Sequence, residues 1–309
     1  MITRPVKPLR LGTRASPLAM VQAHMVRTQL LAAHGWDDAL IEICPVVASG
    51  DKILDRALAE VGGKALWTKE LDQWLVSGDI DFSVHSMKDV ETHRPAEFAI
   101  AAMLERGDVR DRLIGAESLS TLPHGARVGT SAPRRRAQLL ARRHDLEICV
   151  FRGNVQTRLA KLEAGEAKAT LLAAAGLERL GMGDIGTPVA IEEMLPAPAQ
   201  GAIGVETLAC NYDMIGWLGA INHEPTFACV NAERALLGGL SGDCRSPVAA
   251  LAVIKNTQIW LRCAIYSGDG QYKEIGEAMF ATDDDSAAAR LAATLLERAH
   301  PNIRASFGA

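Results

Sequence analysis

Short strand-like runs alternate along this chain with segments of helical spacing, and the alternation starts afresh near residue 105. Strands separated by helices are joined by crossovers, which dictates parallel or mixed pairing and lays helices over the sheet faces. In the first round Leu9–Gly12 reads as a strand. Ser16 opens a helix through about Ala33, with Pro17 in its first turn. Ile41–Val47 reads as a strand, Lys64–Ser77 as a helix with Leu66, Leu71, Trp74 and Leu75 on one side, Phe82–His85 as a strand ending at Ser86, and Phe98–Leu104 as a further apolar run. The second round predicts strands at Arg127–Gly129, Glu147–Phe151 and Thr170–Ala174, with helices at Pro133–Arg143 and Val155–Gly165. Leu195–Glu206, rich in Pro, Ala and Gly, reads as a crossing back between lobes. After about Asn222 the texture changes to a helix (Glu224–Leu237), strands at Val248–Ile254, Ile259–Tyr266 and Glu274–Phe280, and a helix at Ser286–Ala299. The expectation is an α/β fold of three domains: residues 1–104 plus 199–220, residues 105–198, and a small α+β domain over 221–309.

The 309 residues include 48% hydrophobic and 23% charged side chains, an ordinary balance for a soluble globular protein. No apolar run approaches the roughly 20 residues that span a membrane, and MITRPVKPLR lacks the apolar core of a signal peptide, so a cytoplasmic location with no membrane partner is expected. The six cysteines show no CxxC and no metal-ligand spacing, so free thiols and no metal are expected. Cys44, Cys149, Cys229 and Cys263 sit in apolar runs and suit burial, whereas Cys244 lies in the polar turn SGDCRSP.

Charge is distributed unevenly. The chain carries a net charge of −4, yet Arg134, Arg135, Arg136, Arg142, Arg143, Arg152, Arg158 and Lys161 face only Asp145 and Glu147, a local +6. Guanidinium forks bind carboxylate or phosphate in bidentate fashion, so an anionic partner is implied. The arginines fall in two strand-to-helix turns, GTSAPRRR and RGNVQTR, which also supply Thr130, Ser131 and Asn154. Arg142 and Arg143 lie further along and read as solvated helix face, as does Arg136. A Walker-type phosphate loop is absent, and Phe151 is the only aromatic nearby, so the stacking platforms of a nucleic-acid binder are missing.

Three further patterns bear on chemistry. LGTRASPLA (11–19) runs from a strand into a helix N-terminus, where Arg14 and Ser16 either meet an anion or serve as a solvated arginine and a plain cap. VHSMKDV (84–90) delivers Ser86, Lys88 and Asp89 to the end of a strand, either as a ligand site or as an exposed loop salt bridge. Cys244 has Arg245 beside it, which favours a thiolate, and Asp243, which opposes one.

Taken in order, TRASPLA (13–19), GD (50–51), VGGK (61–64), KEL (69–71), VHSMKDV (84–90), GTS (129–131), RR (134–135), RGNVQTRL (152–159), AAAGLERLG (173–181), AQGAIGVE (199–206), AERA (232–235) and the cysteine turn (241–247) resemble the porphobilinogen deaminase (hydroxymethylbilane synthase) family over nearly the whole chain. The resemblance implies two lobes like those of periplasmic binding proteins with a cleft between them, and a small third domain. It implies a monomeric transferase that condenses four porphobilinogen molecules, with loss of ammonia, onto a dipyrromethane cofactor attached through a thioether to Cys244. Hydrolysis then frees hydroxymethylbilane. It implies Asp89 as the catalytic carboxylate. It also implies that Arg14, Ser16, Lys64, Ser86, Lys88, Thr130, Ser131, Arg134, Arg135, Arg152, Arg158, Arg179 and Gln200 contact cofactor or substrate. The chemistry agrees: each added ring carries an acetate and a propionate, so the growing chain is a polyanion, and a carboxylate suits the positive charge that develops as ammonia leaves.

Four residues, at three places, depart from the family's commoner form. Ala132-Pro133 replaces Ser-Leu, Glu91 replaces proline, and Asp243 replaces glycine. The competing expectations are a non-catalytic anion-binding module on the same scaffold, which needs neither Cys244 nor Asp89, and an RNA- or DNA-binding protein.

Overall fold

The structure is a computed structural model that describes residues 4–46 and 68–307. It divides into two compact units, the first holding residues 4–46, 68–107 and 201–227 of the described chain and the second 108–200 and 228–307.

The first unit is built on one five-stranded sheet. Its strands are β1 (Leu9–Arg14), β2 (Ile41–Val46), β3 (Phe82–Ser86), β4 (Phe98–Met103) and β10 (Ile203–Leu208), in the order β2-β1-β3-β10-β4. β1 runs parallel to β2 and β3, and β10 runs antiparallel to both its neighbours. Helix α1 (Pro17–His34) starts as expected: Ser16 is extended, its hydroxyl accepts from the Ala19 N–H, and Pro17 occupies the first turn. It ends at Gly35 in the left-handed conformation. α1 lays Ala23, Val26, Leu30 and Leu31 over Leu9, Leu11, Phe82 and Val84 of the sheet. α2 (Lys69–Ser77) covers the other side with Leu71 and Leu75, which pack with Ile80 and Phe98. The predicted start of this helix at Lys64 lies outside the described residues.

The second unit repeats the scheme. Its sheet has the order β7-β6-β8-β5-β9, from β5 (Asp111–Ile114), β6 (Arg127–Gly129), β7 (Glu147–Cys149), β8 (Ala169–Ala173) and β9 (Thr187–Pro188). Again four strands run one way and one, β5, runs antiparallel to both its neighbours. α3 (Pro133–Arg142), α4 (Val155–Glu163) and α5 (Ala174–Arg179) follow β6, β7 and β8. Beyond α6 (Tyr212–Gly219) of the first unit, α7 (Glu224–Gly239) leads to a meander of β11 (Val248–Lys255), β12 (Gln258–Tyr266) and β13 (Lys273–Ala281). α8 (Ala287–Arg298) and α9 (Pro301–Arg304) end the chain. Leu236, Leu237 and Leu240 after and within α7 pack with Ala292 and Leu295 of α8 against Val248, Leu261 and Ile265. Ala249, Ala264 and Tyr266 on the opposite face meet Ala137 of α3.

The structure corrects two readings of the sequence. Leu195–Glu206 is only partly a crossing, because Ile203–Leu208 is a buried strand inside the first sheet, between β3 and β4. β5 escapes notice because two of its four residues, Asp111 and Arg112, are charged.

The β11–β12 connection is a two-residue turn, Asn256-Thr257, flanked by the pair Lys255 and Gln258. Both turn residues have positive φ, 47° and 69°. Such a turn matches the twist of the strands, but a β-branched residue there is strained. Thr257→Gly should therefore raise stability by about 1 kcal/mol, read as a higher urea midpoint at unchanged slope.

Candidate active site

In the first unit, β1 and β3 end side by side, so Arg14 and Ser16 meet Ser86 and Asp89 around one pocket, with Gln22, Thr68 and His85 completing its wall. Asp89 and Lys88 sit half-buried in a single 3₁₀ turn, Met87–Asp89. Gly204 of β10 lies directly beneath that turn. A Cβ there would run into the buried Met87 side chain, so glycine leaves that side chain room to seat on the sheet. Gln22 of α1 and the Ser86 hydroxyl pair at 2.9 and 3.1 Å between their polar atoms, locking the end of β3 to the helix.

Behind this wall is a buried ionic lattice. Arg94 meets Asp72 at 2.6 Å, Glu206 at 2.8 Å and Glu91 at 2.9 Å. Glu206 also meets His85 Nε2 at 3.1 Å, and that nitrogen lies 2.8 Å from the Ser83 hydroxyl. Burial pushes Glu206 upward, but the His85 hydrogen bond and the Arg94 charge outweigh it and hold the carboxyl below its ordinary value. Burial likewise opposes the charge on Arg94, and its carboxylate partners overcome it, raising the guanidinium further. Glu91, at the position where the family's commoner form has proline, thus supplies one of three carboxylates around Arg94.

In the second unit the two arginine turns lie at the ends of the adjacent parallel strands β6 and β7. Gly129, the last residue of β6, faces the Phe151 ring so closely that a Cβ would fall 2.4 Å from it, and this approach seats the turn bearing buried Arg152. Thr130 turns inward, its hydroxyl accepting the Ala132 N–H at 3.2 Å. Pro133 then begins α3. Asn154 caps α4, accepting from the Thr157 N–H at 2.9 Å, and half-buried Arg158 donates Nε–H to the Gly153 carbonyl. Ser131 is half-buried beside these turns, and Arg179, at the end of α5, is held below its ordinary pKa by burial.

Arg134 and Arg135, expected as carboxylate clamps, each meet buried Asp111 through one nitrogen at 2.7 Å. Asp111 also accepts from Gln200 at 3.0 Å. Burial pushes Asp111 upward, and the two guanidinium charges reverse that, leaving it well below the carboxylate range. Arg143, expected on a solvated face, pairs with Asp145 at 2.7 Å and donates to the carbonyls of Leu119, Leu122 and Pro123, closing the end of α3. Arg136 is exposed, as read. Arg142 is exposed and donates to the Glu192 carbonyl. Cys244 is exposed on its turn, where Arg245 is bound to Asp243 rather than left open. Cys229 and Cys263 are buried, and burial pushes Cys263 up to about 12. Lys64 lies outside the described residues. Asp111, Arg94 and Glu206 leave no pattern along the chain, because each is a charge buried with a distant partner, and Gln22 looks like any polar residue of a helix.

Residues 9–215 match the family described as porphobilinogen deaminase, dipyromethane cofactor binding domain, and residues 227–299 its C-terminal domain. The chain belongs to the porphobilinogen deaminase family. It is thereby a transferase of tetrapyrrole synthesis. It is 56% identical to a porphobilinogen deaminase of Sphingopyxis alaskensis over 99% of this chain and 98% of that one, and 48% identical to one of Paracoccus denitrificans over 86% of each. Among solved structures it is similar to the second substrate binding domain of a putative amino acid ABC transporter from Streptococcus pneumoniae, at 14% identity and a TM-score of 0.43, covering 69% of this chain and 90% of that one. So loose a likeness says nothing of function. No helix among the described residues is long and apolar enough to cross a membrane.

Asp111 and Glu206 both have depressed folded pKa values. Their stabilisation is complete above the unfolded carboxylate value near pH 4 and is lost as pH falls through it toward the folded values. Urea midpoints should therefore be flat above about pH 5 and decline steeply below pH 4. Glu206→Gln should lower stability at neutral pH by about 3 kcal/mol and shrink the acid-side decline.

Proposed function

We propose that this chain condenses four porphobilinogen molecules head to tail, releasing ammonia at each addition, and finally frees hydroxymethylbilane by hydrolysis. The observation that carries this is the donor set of the first unit's pocket: one carboxylate, Asp89, set among Arg14, Ser16 and Ser86 at the N-terminus of α1. An arginine, two hydroxyls and a helix N-terminus suit the acetate and propionate of the substrate. Asp89 is left to face the pyrrole nitrogen, where it stabilises the positive charge that grows as the bond to ammonia breaks and can move the ring proton.

Cys244 fits covalent attachment: it is an exposed thiol on a polar turn in the same unit as the two arginine turns. A dipyrromethane held there as a thioether supplies a covalent primer, so that each addition is effectively intramolecular. Lys88, Thr130, Ser131, Arg152, Arg158 and Arg179, with Lys64, hold carboxylates of the bound pyrroles, while Gln200 acts on them through Asp111. Arg134 and Arg135 act as a pair whose two charges are only half balanced by Asp111. The three-domain division, a monomeric state, a cytoplasmic location and the lack of a nucleic-acid or membrane partner belong to the same proposal.

Intact mass decides the attachment. The purified chain should exceed its sequence mass by one dipyrromethane, and Cys244→Ala should return to the bare mass. An increment that survives in the variant moves the attachment elsewhere, and a bare wild type sinks the proposal. Asp89→Ala should cut hydroxymethylbilane formation by about 10²–10³-fold with an unchanged thermal midpoint. Turnover near wild type would remove Asp89 from the chemistry.

A further inference from the structure

We infer that Asp111 is a positioning residue, one that sets Arg134 and Arg135 as a single preformed cationic pair for the carboxylates of bound pyrroles. The inference rests on the condensation activity, but its geometry stands on its own. Asp111 is fully buried on β5, between β8 and β9. One carboxylate oxygen accepts Arg134 Nη2 and the other accepts Arg135 Nη2, both at 2.7 Å. Each guanidinium is fixed at a second point: Arg134 Nη1 donates to the Leu195 carbonyl at 3.0 Å and Arg135 Nη1 to the Leu171 carbonyl at 2.8 Å. Two contacts in different directions define the plane of a guanidinium as one cannot. Without the carboxylate, two like charges on consecutive helix residues would share a buried site, and repulsion together with desolvation would drive them apart.

The carboxylate is itself held. Gln200 donates from one amide nitrogen to Asp111 at 3.0 Å and to the Val109 carbonyl at 2.7 Å. Gln200 follows Ala199, which has a φ of 61°, unusual for a residue with a side chain. Buried Glu233 of α7 secures that bend by accepting the Ala199 N–H at 2.6 Å while its other oxygen accepts the Ala252 N–H of β11 at 2.7 Å. The arrangement holds the arginines without cancelling them: two cations share one anion, and Arg135 Nε is buried with no hydrogen-bond partner among the described residues. A purely structural ion pair has no use for that surplus.

The test uses the full chain with Asp111→Asn, Asp111→Glu, Arg134→Leu and the Asp111→Asn/Arg134→Leu double variant. Intact mass gives the fraction carrying dipyrromethane, and KM and kcat are then measured on that fraction. Asp111→Asn should raise KM for porphobilinogen about tenfold, with a smaller change in kcat and a reduced dipyrromethane fraction. In the double variant Asp111→Asn should add little to the effect of Arg134→Leu. Should Asp111→Asn fail to fold, Asp111→Glu carries the test, because it keeps the charge and moves it by one methylene. Variants with a lowered thermal midpoint but wild-type KM and full loading would overturn the inference, as would effects that multiply in the double variant. Phenylglyoxal labelling reads the pair without turnover: Arg134 and Arg135 should be protected in wild type and modified in folded Asp111→Glu, and equal protection in both overturns the inference. A wild type at bare mass would count against the condensation activity instead, while the labelling would still decide whether Asp111 holds the pair.

Discussion

Two guanidinium groups can be taken out of water together only if an anion lies between them and the rest of their N–H groups find acceptors. Asp111 meets the first condition, and the carbonyls of Leu171 and Leu195 meet part of the second. Because Asp111 belongs to β5 and the arginines to α3, this one contact fixes how the helix sits against its own sheet. The position of α3 in turn receives the face of the C-terminal meander through Ala137, Ala249 and Tyr266. The first unit solves the same problem with opposite sign, one guanidinium at Arg94 serving three carboxylates. The Arg94 cluster lies behind the pocket that holds Asp89, where a displaced wall would displace the lining.

The repeated sheet plan explains where those residues fall. Parallel strands point their ends the same way, so consecutive strand-to-helix turns gather along one edge. β1 and β3 bring Arg14 and Asp89 to one pocket, and β6 and β7 bring the two arginine turns together. Glycine finishes the construction where backbones close in, at Gly204 under Met87 and at Gly129 against Phe151.

Much of this was legible in the sequence. Ser16-Pro17, Pro133 and Asn154 announce helix starts by local capping chemistry, and local rules read them correctly. Arg136 was legible for a similar reason, as an exposed helix position. What stayed hidden depends on partners distant in the chain. Asp111 looks like one more acid in a polar run until Arg134 and Arg135 fold onto it. Arg143 resembles its neighbour Arg142, and only Asp145 and a set of carbonyls separate an anchor from an exposed residue. β10 was disguised by the Pro, Ala and Gly that precede it, although its residues Ile203 and Val205 lie in the core.

The place of β10 has a consequence for biosynthesis. It lies between β3 and β4 and is what joins β4 to the sheet, yet it follows the whole of the second sheet in the chain. A ribosome therefore releases β1 to β4 well before the strand that unites them, and the nascent first unit waits with the inner edges of β3 and β4 unpaired. The second sheet has no such delay, since β5 to β9 emerge as one uninterrupted stretch. The order of synthesis is thus reversed in folding: the sheet begun second is the first that can close.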